Sequence, residues 1–498
     1  MHECARRESN PDRRLRRPLF YPLNYKRSEN ICPYFIMRVS FFIVSMLVVG
    51  ILAVSLGFIG LIYPLASLLL IIPVFTLFWL NKNLLAQFNQ LKWLERWLLS
   101  LLLLIWASHL IQVFVPETGF DAVWYHLPIA KVVTDAHQIR YIPELYQSLN
   151  PLFSDLFFVL GFQLWGDFGS KLVAYFFGLS LVLVSYSLAR NWLDRSWSLV
   201  FAIIISTFQV IAWQSASFYV DIAKAFWEIS ALWWIFGQES RREFNRGFHH
   251  EFHRALSAGL SFGASLASKL FSFLLWPVFL IAAVVKIRGL KNIALFVASS
   301  VLVPLPFYLF AFVQTGNPFY SISVHLQKIS EIGNSSSVWQ YLFQRTLLIP
   351  TSIVNILFVR DYIAPLLLLC GILILLAGYK KIVSDINLKL LLLFVLNQWL
   401  VWWFVPPLST RYALSGFIIL LLVILVLLQY FYKRHHLLRR PVILLLVLTI
   451  ILNMIPRLLV NYRSLKFLIS GQPKQIYLEQ FYDGWIDHHL DSWHQVQN

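Results

Sequence analysis

The sequence predicts an all-α, polytopic transmembrane helix bundle of about 13 helices with juxtamembrane helices on its outer side. Three observations carry that prediction. Of the 498 residues 58% are hydrophobic and only 13% are charged, about half the charged share of a soluble domain. The apolar residues fall in runs of roughly 20, the length a helix needs to cross a bilayer. The surplus of cations, 41 Lys and Arg against 24 Asp and Glu, sits in short loops between those runs, as the positive-inside rule expects of cytoplasmic loops. Nucleic acid is therefore not an expected partner, because it would need a basic face on a soluble module.

Residues 1–36 carry Arg6, Arg7, Arg13, Arg14, Arg16, Arg17, Lys26 and Arg27 without an apolar period, and read as a disordered cytoplasmic tail. Met37 offers a second translation start. The run from Val39 is too long for a signal-peptide core and no small-residue cleavage site follows, so it reads as a retained helix. Residues 37–96 then hold two amino-terminal spans, at 39–60 and 64–80. Residues 97–459 form the main membrane domain. Its spans are expected at 97–115, 168–189, 197–213, 219–236, 255–268, 270–285, 292–313, 362–378, 389–405, 412–430 and 441–459.

Charge bookkeeping supports this count, since one missed helix would invert every later loop. Arg190 and Arg195, the Arg241–Arg254 group, Lys286 to Lys291, Lys380 to Lys389 and Lys433 to Arg440 all fall inside. The loops 116–167 and 314–361 and the tail 460–498 fall outside. Agreement requires residues 151–165, which include Asp155, to lie along the membrane. Of the three cysteines, Cys4 and Cys32 are in the tail and Cys370 is in an apolar run, so there is no disulfide framework.

The first outer loop brings Asp121, Trp124, Tyr125 and His126 to the outer end of a helix. A carboxylate at such a boundary becomes a better base as it is desolvated; it would equally serve as a solvated helix cap. Helix 219–236 opens with Asp221, Lys224 and Glu228, spaced three and four apart and therefore on one stripe. Charge within a membrane faces the bundle interior and marks function by default, with pairing of Lys224 to Glu228 the structural alternative. Lys269 follows Ser268 at the turn of a helical hairpin, where an ammonium needs an anion such as a lipid phosphate or snorkels to the surface. Arg411 starts a helix from the outer side, and its guanidinium suits either bidentate phosphate binding or interfacial anchoring.

Softer features are the Gly316-Asn317-Pro318 turn, His325, Lys328 and Arg345 in the long outer loop, and the tail group Asp487, His488, His489, Asp491 and His494, which reads as a solvated end. The chain has no phosphate-binding Gly-x-x-x-x-Gly-Lys-Ser/Thr loop, no His-Glu-x-x-His and no Gly-x-Gly-x-x-Gly. ATP-driven transport, zinc proteolysis and Rossmann-type nucleotide binding lose support accordingly.

In order, these landmarks resemble the C-type (GT-C) integral-membrane glycosyltransferases, particularly bacterial relatives of the protein O-mannosyltransferases and the lipid A aminoarabinose transferases. The landmarks are Asp121 ahead of Tyr146 to Leu152, Tyr219-Val220-Asp221, Ser268-Lys269, Gly316-Asn317-Pro318 and Arg411-Tyr412, together covering residues 97–430. The chain departs from its relatives in having Ala122 where an adjacent acid is common, Asn150-Pro151 where Pro-Pro is common, and two helices ahead of the catalytic loop. These departures leave the sugar, the acceptor and any divalent metal ion open.

The resemblance implies transfer of a sugar from a polyprenyl-phosphate donor to a lipid, glycan or protein acceptor on the outer face of the plasma membrane. It implies Asp121 as general base and Asp221 as its support, with Lys269 and Arg411 neutralising donor phosphate. Trp124, Tyr125, His126 and Tyr146 would line the sugar or lipid groove. No cofactor is certain and no metal ligand is assigned. The alternatives are a secondary transporter or flippase, whose coupling charges would sit near the midplane between repeats, and a ligase or polymerase using a larger lipid-linked glycan.

Overall fold

The computed structural model describes residues 33–70, 91–237, 248–324, 327, 338–358, 364–404 and 409–479. Outside them lie the tail to residue 32, residues 71–80 of the second expected span, Arg241, Arg242 and Arg246, His325 and Lys328. The glycosylation-like Asn334-Ser335-Ser336 and the Asp487 to His494 group also lie outside. Among the described residues all regular structure is helical.

Six helices are long and apolar enough to cross a membrane: Arg38–Ile59, Trp93–Phe114, Phe153–Ala189, Ile386–Trp403, Thr410–Arg434 and His436–Ser470. Leu290–Leu302 and Leu305–Thr315 make a seventh, bent by 43° at Pro304 and Pro306, where two backbone donors are missing. Other expected spans are shorter. The 197–213 run is interrupted at Thr207 and Phe208, giving Arg195–Ser206 and Gln209–Gln214. The 270–285 run is a 3₁₀ turn, Leu270–Leu275, followed by Trp276–Lys286. By length and composition, thirteen full spans are not reached among the described residues.

Helix Asp221–Phe236 is the axis of the bundle. All 16 of its residues are buried, which its apolar faces allow once the charges of its one polar stripe are paired. It packs against Phe153–Ala189, Phe248–Leu266 and Leu414–Arg434. By contrast the helices Trp93–Phe114 and His436–Ser470 are only 28% buried, and the apolar residues on their outer faces are the surface that lipid covers.

Three features add to the expected layout. Within the 151–165 segment, Phe153, Ser154, Asp155, Leu156 and Phe158 are all buried. Helix Phe153–Ala189 breaks at Trp165 and Gly166, and the chain folds back, so that Ser170 Oγ donates to the Phe158 carbonyl at 3.0 Å. The reversal requires small residues, because a Cβ on Gly169 would come within 1.9 Å of the Gly161 carbonyl oxygen. The 314–361 segment contains helix Val338–Phe358 with Pro350 inside it. Helix Arg439–Ser470 continues without interruption past Pro456 and beyond residue 460.

Candidate active site

Two loops are clamped together by a carboxylate that sequence reasoning passes over. Glu117 is buried, and its Oε1 accepts from the backbone N–H groups of Thr118 at 2.9 Å and Gly119 at 2.7 Å and from Ser217 Oγ at 2.6 Å. Its Oε2 accepts from the Phe218 N–H at 2.9 Å. Four donors on one carboxylate satisfy it without a cation, and they fix the 116–121 segment against 217–219. Gly119 belongs to the same clamp, since a Cβ there would come within 2.5 Å of both Ser217 Oγ and the Tyr219 ring. The Tyr219 hydroxyl then accepts the backbone N–H of Asp121 at 3.1 Å.

On this frame the four expected charges meet. Asp121 precedes the helical turn Ala122–His126, Asp221 opens helix Asp221–Phe236, Lys269 ends the turn after Phe248–Leu266, and Arg411 lies in the 3₁₀ turn Thr410–Ala413. Arg411 Nη1 is 2.8 Å from Asp121 Oδ2, and its Nε is 3.9 Å from Asp221 Oδ2. Lys269 Nζ is ion-paired with Asp221 Oδ1. Gln214 Nε2 donates to Asp221 Oδ2 at 3.2 Å. Aromatic faces complete the cation sites: Arg411 lies 5.2 Å from the Tyr219 ring centre and 4.9 Å from that of Tyr412, and Lys269 lies 4.6 Å from the latter.

The two carboxylates are not equivalent. The Asp221 side chain is 0% exposed and committed to Lys269, Arg411 and Gln214, whereas that of Asp121 is 13% exposed. Arg411 is the one residue that ion-pairs with the Asp121 carboxylate among the described residues. Two acids and two bases give a formally neutral cluster, which is how charge is tolerated away from water.

One helical turn deeper, Lys224 and Glu228 pair at 2.8 Å, the structural alternative weighed for them above. Glu228 also accepts from Ser265 at 3.1 Å, Ser272 at 3.4 Å, Gln398 at 3.1 Å and Ser415. Lys224 Nζ reaches the Tyr412 carbonyl at 3.5 Å. This second pair ties the axial helix to the segments that carry Lys269 and Arg411.

The remaining expected site residues divide. Tyr125 is close enough to Asp121, Arg411 and Tyr412 to interact with their charges, and burial pushes its phenol well above the usual value. Tyr146 is likewise raised, by burial first and then by Asp121, so neither is an anion at neutral pH. Trp124 is 39% exposed, packing on Phe120 and Tyr125. His126 is not among the groups that contact the charged cluster: its Nδ1 pairs with Asp155 at 2.6 Å, and its ring stacks on Phe218.

Gly259-Leu260-Ser261-Phe262-Gly263 has the spacing of a hydrolase nucleophile elbow, but it lies within helix Phe248–Leu266 instead of at a strand-to-helix turn. Its glycines admit helix Leu290–Leu302: a Cβ on Gly259 would meet Ser299 Oγ at 2.0 Å, and one on Gly263 the Ser300 carbonyl at 2.8 Å. Among the described residues no group of three His, Cys, Asp or Glu is arranged to hold a metal ion.

Fold and site thus define a multi-pass, all-helical membrane protein with a buried, charge-balanced acid and base cluster where several helix ends converge. No protein-family model matches the chain, and no curated protein matches it. Among solved structures it is similar to ArnT from Cupriavidus metallidurans bound to undecaprenyl phosphate, at 15% identity and a TM-score of 0.49 over 67% of this chain and 59% of that one. It is also similar to the oligosaccharyltransferase AglB from Archaeoglobus fulgidus in complex with an inhibitory peptide and a dolichol-phosphate. There the identity is 14% and the TM-score 0.46 over 78% of this chain and 60% of that one. The chain spans about three fifths of the length of each.

Proposed function

We propose that the protein transfers a sugar from a polyprenyl-phosphate donor to a hydroxyl or amine of a lipid, glycan or protein acceptor at the outer face of the membrane. The observation that carries this reading is the Asp121–Arg411–Asp221–Lys269 cluster, in which two cations suited to phosphate are held beside a carboxylate, Asp121, whose one ion pair is with Arg411 among the described residues. Arg411 and Lys269 take the donor phosphate, with the guanidinium binding it bidentately. Phosphate competes for Arg411 with Asp121, so donor binding releases the base from its ion pair. The acceptor oxygen or nitrogen then attacks the anomeric carbon, its proton passes to Asp121, and the bond to the phosphate oxygen breaks with its electron pair going to the phosphate. Asp221 stays ionised and holds both cations in place through the step. Phosphate is a good leaving group once neutralised, so no second carboxylate is needed to protonate it, in contrast to glycoside hydrolysis.

Tyr125 and Tyr146, neutral phenols beside the cluster, supply hydrogen bonds to the sugar, and the exposed Trp124 supplies a stacking face. The cationic loops expected on the cytoplasmic side support this orientation of the site. The test is transfer of radiolabelled sugar from a panel of polyprenyl-phosphate sugars by the protein in liposomes, beside Asp121→Asn. Transfer that disappears in a folded variant supports the reading. Absence of transfer from every donor, with substrate crossing the bilayer instead, overturns it in favour of a transporter.

A further inference from the structure

Helix Arg439–Ser470 is amphipathic in reverse. The residues it buries follow one stripe: Val442, Leu446, Thr449, Asn453, Arg457, Asn461 and Ser464, apolar at the start and polar from Thr449 onward. The opposite face exposes Ile451, Ile455, Leu458 and Leu459. A helix with apolar residues toward lipid and polar residues inward is built around a polar seam. That seam is formed with the outer end of helix Trp93–Leu110 and the turn after it. Gln112 Nε2 donates to Asn461 Oδ1 at 3.1 Å and to Ser464 Oγ at 2.6 Å, and Asn453 Nδ2 donates to Thr207 Oγ1 at 3.0 Å.

In the middle of the seam sits Arg457. It is 4% exposed, and among the described residues its Nε and Nη2 have no hydrogen-bond partner and no carboxylate pairs with it. Its neighbourhood adds cations. Arg457 acts electrostatically on Lys171 and on His109. Lys171 is itself buried and spends one hydrogen on the Val115 carbonyl at 2.6 Å. Glu117 and Asp167 act on Lys171, but Glu117 already accepts four hydrogen bonds and Asp167 is paired with Lys474 at 3.4 Å. Two further polar atoms lack partners beside Arg457. One is Asn461 Nδ2, a donor. The other is His109 Nδ1, an acceptor in the neutral ring because Nε2 donates to the Ser206 carbonyl at 2.9 Å.

A guanidinium withdrawn from water without an anion is among the costliest groups a protein can bury, and the two flanking helices are the ones least covered by protein. We propose that Arg457, with Lys171, Asn461 and His109, forms a second anion-binding site for a phosphate group, separate from the Asp121 cluster. The bare donors on Arg457 and Asn461 meet phosphate oxygens. The His109 lone pair takes a hydroxyl of the same ligand, which favours a polyol phosphate headgroup over one ending in a quaternary ammonium. This inference does not depend on the transferase reading, and its test uses binding alone.

The protein is purified in dodecyl maltoside, which contains no phosphate, and binding of phosphatidylglycerol, phosphatidylcholine and inorganic phosphate is followed by native mass spectrometry and by the shift in melting temperature. Phosphatidylglycerol is expected to bind more tightly than phosphatidylcholine, and Arg457→Gln to weaken it about tenfold or more. Because removal of Arg457 could also disturb folding, Asn461→Asp gives the second arm. It places a carboxylate one turn from the guanidinium, supplies the missing anion from within, and should keep the fold while abolishing lipid binding. Competition by inorganic phosphate at the same Arg457-dependent site assigns it to free phosphate, and failure to compete assigns it to a lipid headgroup; either result upholds the site. Phosphatidylglycerol and inorganic phosphate binding unchanged in both variants would overturn it and leave the seam to water.

Discussion

Arg411 Nη1 lies 2.8 Å from Asp121 Oδ2, so the residue proposed as base and the residue proposed to bind phosphate occupy one another before substrate arrives. The pairing protects a charge-bearing site from its own desolvation cost. It also makes base release conditional on donor binding, which lowers the chance that an acceptor is deprotonated without a donor in place.

Replacing Asp121 with Asn preserves shape and loses proton affinity. Transfer should fall about 10²- to 10⁴-fold, the usual contribution of a positioned base, with the melting temperature nearly unchanged. Radiolabel transfer and thermal unfolding on the same sample check this, and full activity in the variant would rule out the base assignment.

Arg411→Lys keeps the charge and gives up the fork. The donor KM should rise about 10-fold or more through loss of bidentate geometry, and kcat should fall less. A drop confined to kcat would mean that Arg411 does not hold the donor.

Much of this arrangement was legible in the sequence, and the reason is physical. Asp221, Lys269 and Arg411 announced themselves because charge in apolar surroundings is too costly to be incidental, and Asp121 by its place at a helix end. Glu117 is buried as well, yet nothing local in the sequence marks it. It sits at a loop boundary where an acid has no local cost, and two of its four donors, Ser217 and Phe218, come from a segment about 100 residues away. His126 has site residues as its neighbours in sequence, while its partner Asp155 lies in the folded-back segment, which no local pattern announces. The bundle itself was legible from composition. The reversal at Trp165 and Gly166 was not, because it depends on one close approach between Gly161 and Gly169.

Glu117→Gln tests the clamp. An amide in place of the carboxylate turns an NH₂ group toward backbone N–H or hydroxyl donors, losing at least one charge-assisted bond and adding a repulsive contact. The 116–121 segment should loosen, with activity falling about 10-fold as Asp121 loses its placement. Asp121→Asn combined with Glu117→Gln should be no worse than Asp121→Asn alone, because the clamp acts through the base. Additive losses in transfer assays would show a separate role.

Glu228→Gln leaves Lys224 as a buried cation without its anion. Breaking such a pair from one side costs about 3–5 kcal/mol, which should lower the melting temperature sharply. Lys224→Met with Glu228→Gln removes both charges and should recover most of the loss. Thermal unfolding of the three proteins in the same detergent decides it: a double variant as unstable as the single would mean that the hydrogen bonds of Glu228 to Ser265, Gln398 and Ser415, and not the ion pair, hold these helices together.

Gly169→Ala probes the reversal on which the site rests. The added Cβ would lie 1.9 Å from the Gly161 carbonyl oxygen; the oxygen is backbone and the Cβ is fixed directly to backbone, so neither can turn aside. The two arms of the hairpin must separate, which strips packing from Phe158 and Ser170 and moves Phe153, whose N–H donates to the Ala267 carbonyl at 2.9 Å. Ala267 is two residues from Lys269, so the disturbance travels to the phosphate side of the site. The expected result is a protein with a markedly lower melting temperature and, in whatever fraction folds, a raised donor KM. Gly166→Ala is the matched control: nothing lies within 4 Å of its Cβ, and its φ of 58° with ψ of −144°, a region open essentially to glycine, costs about 1–3 kcal/mol. It should lower stability modestly and leave donor binding intact. A Gly169→Ala protein as stable as wild type would show that the hairpin arms do not pack backbone to backbone.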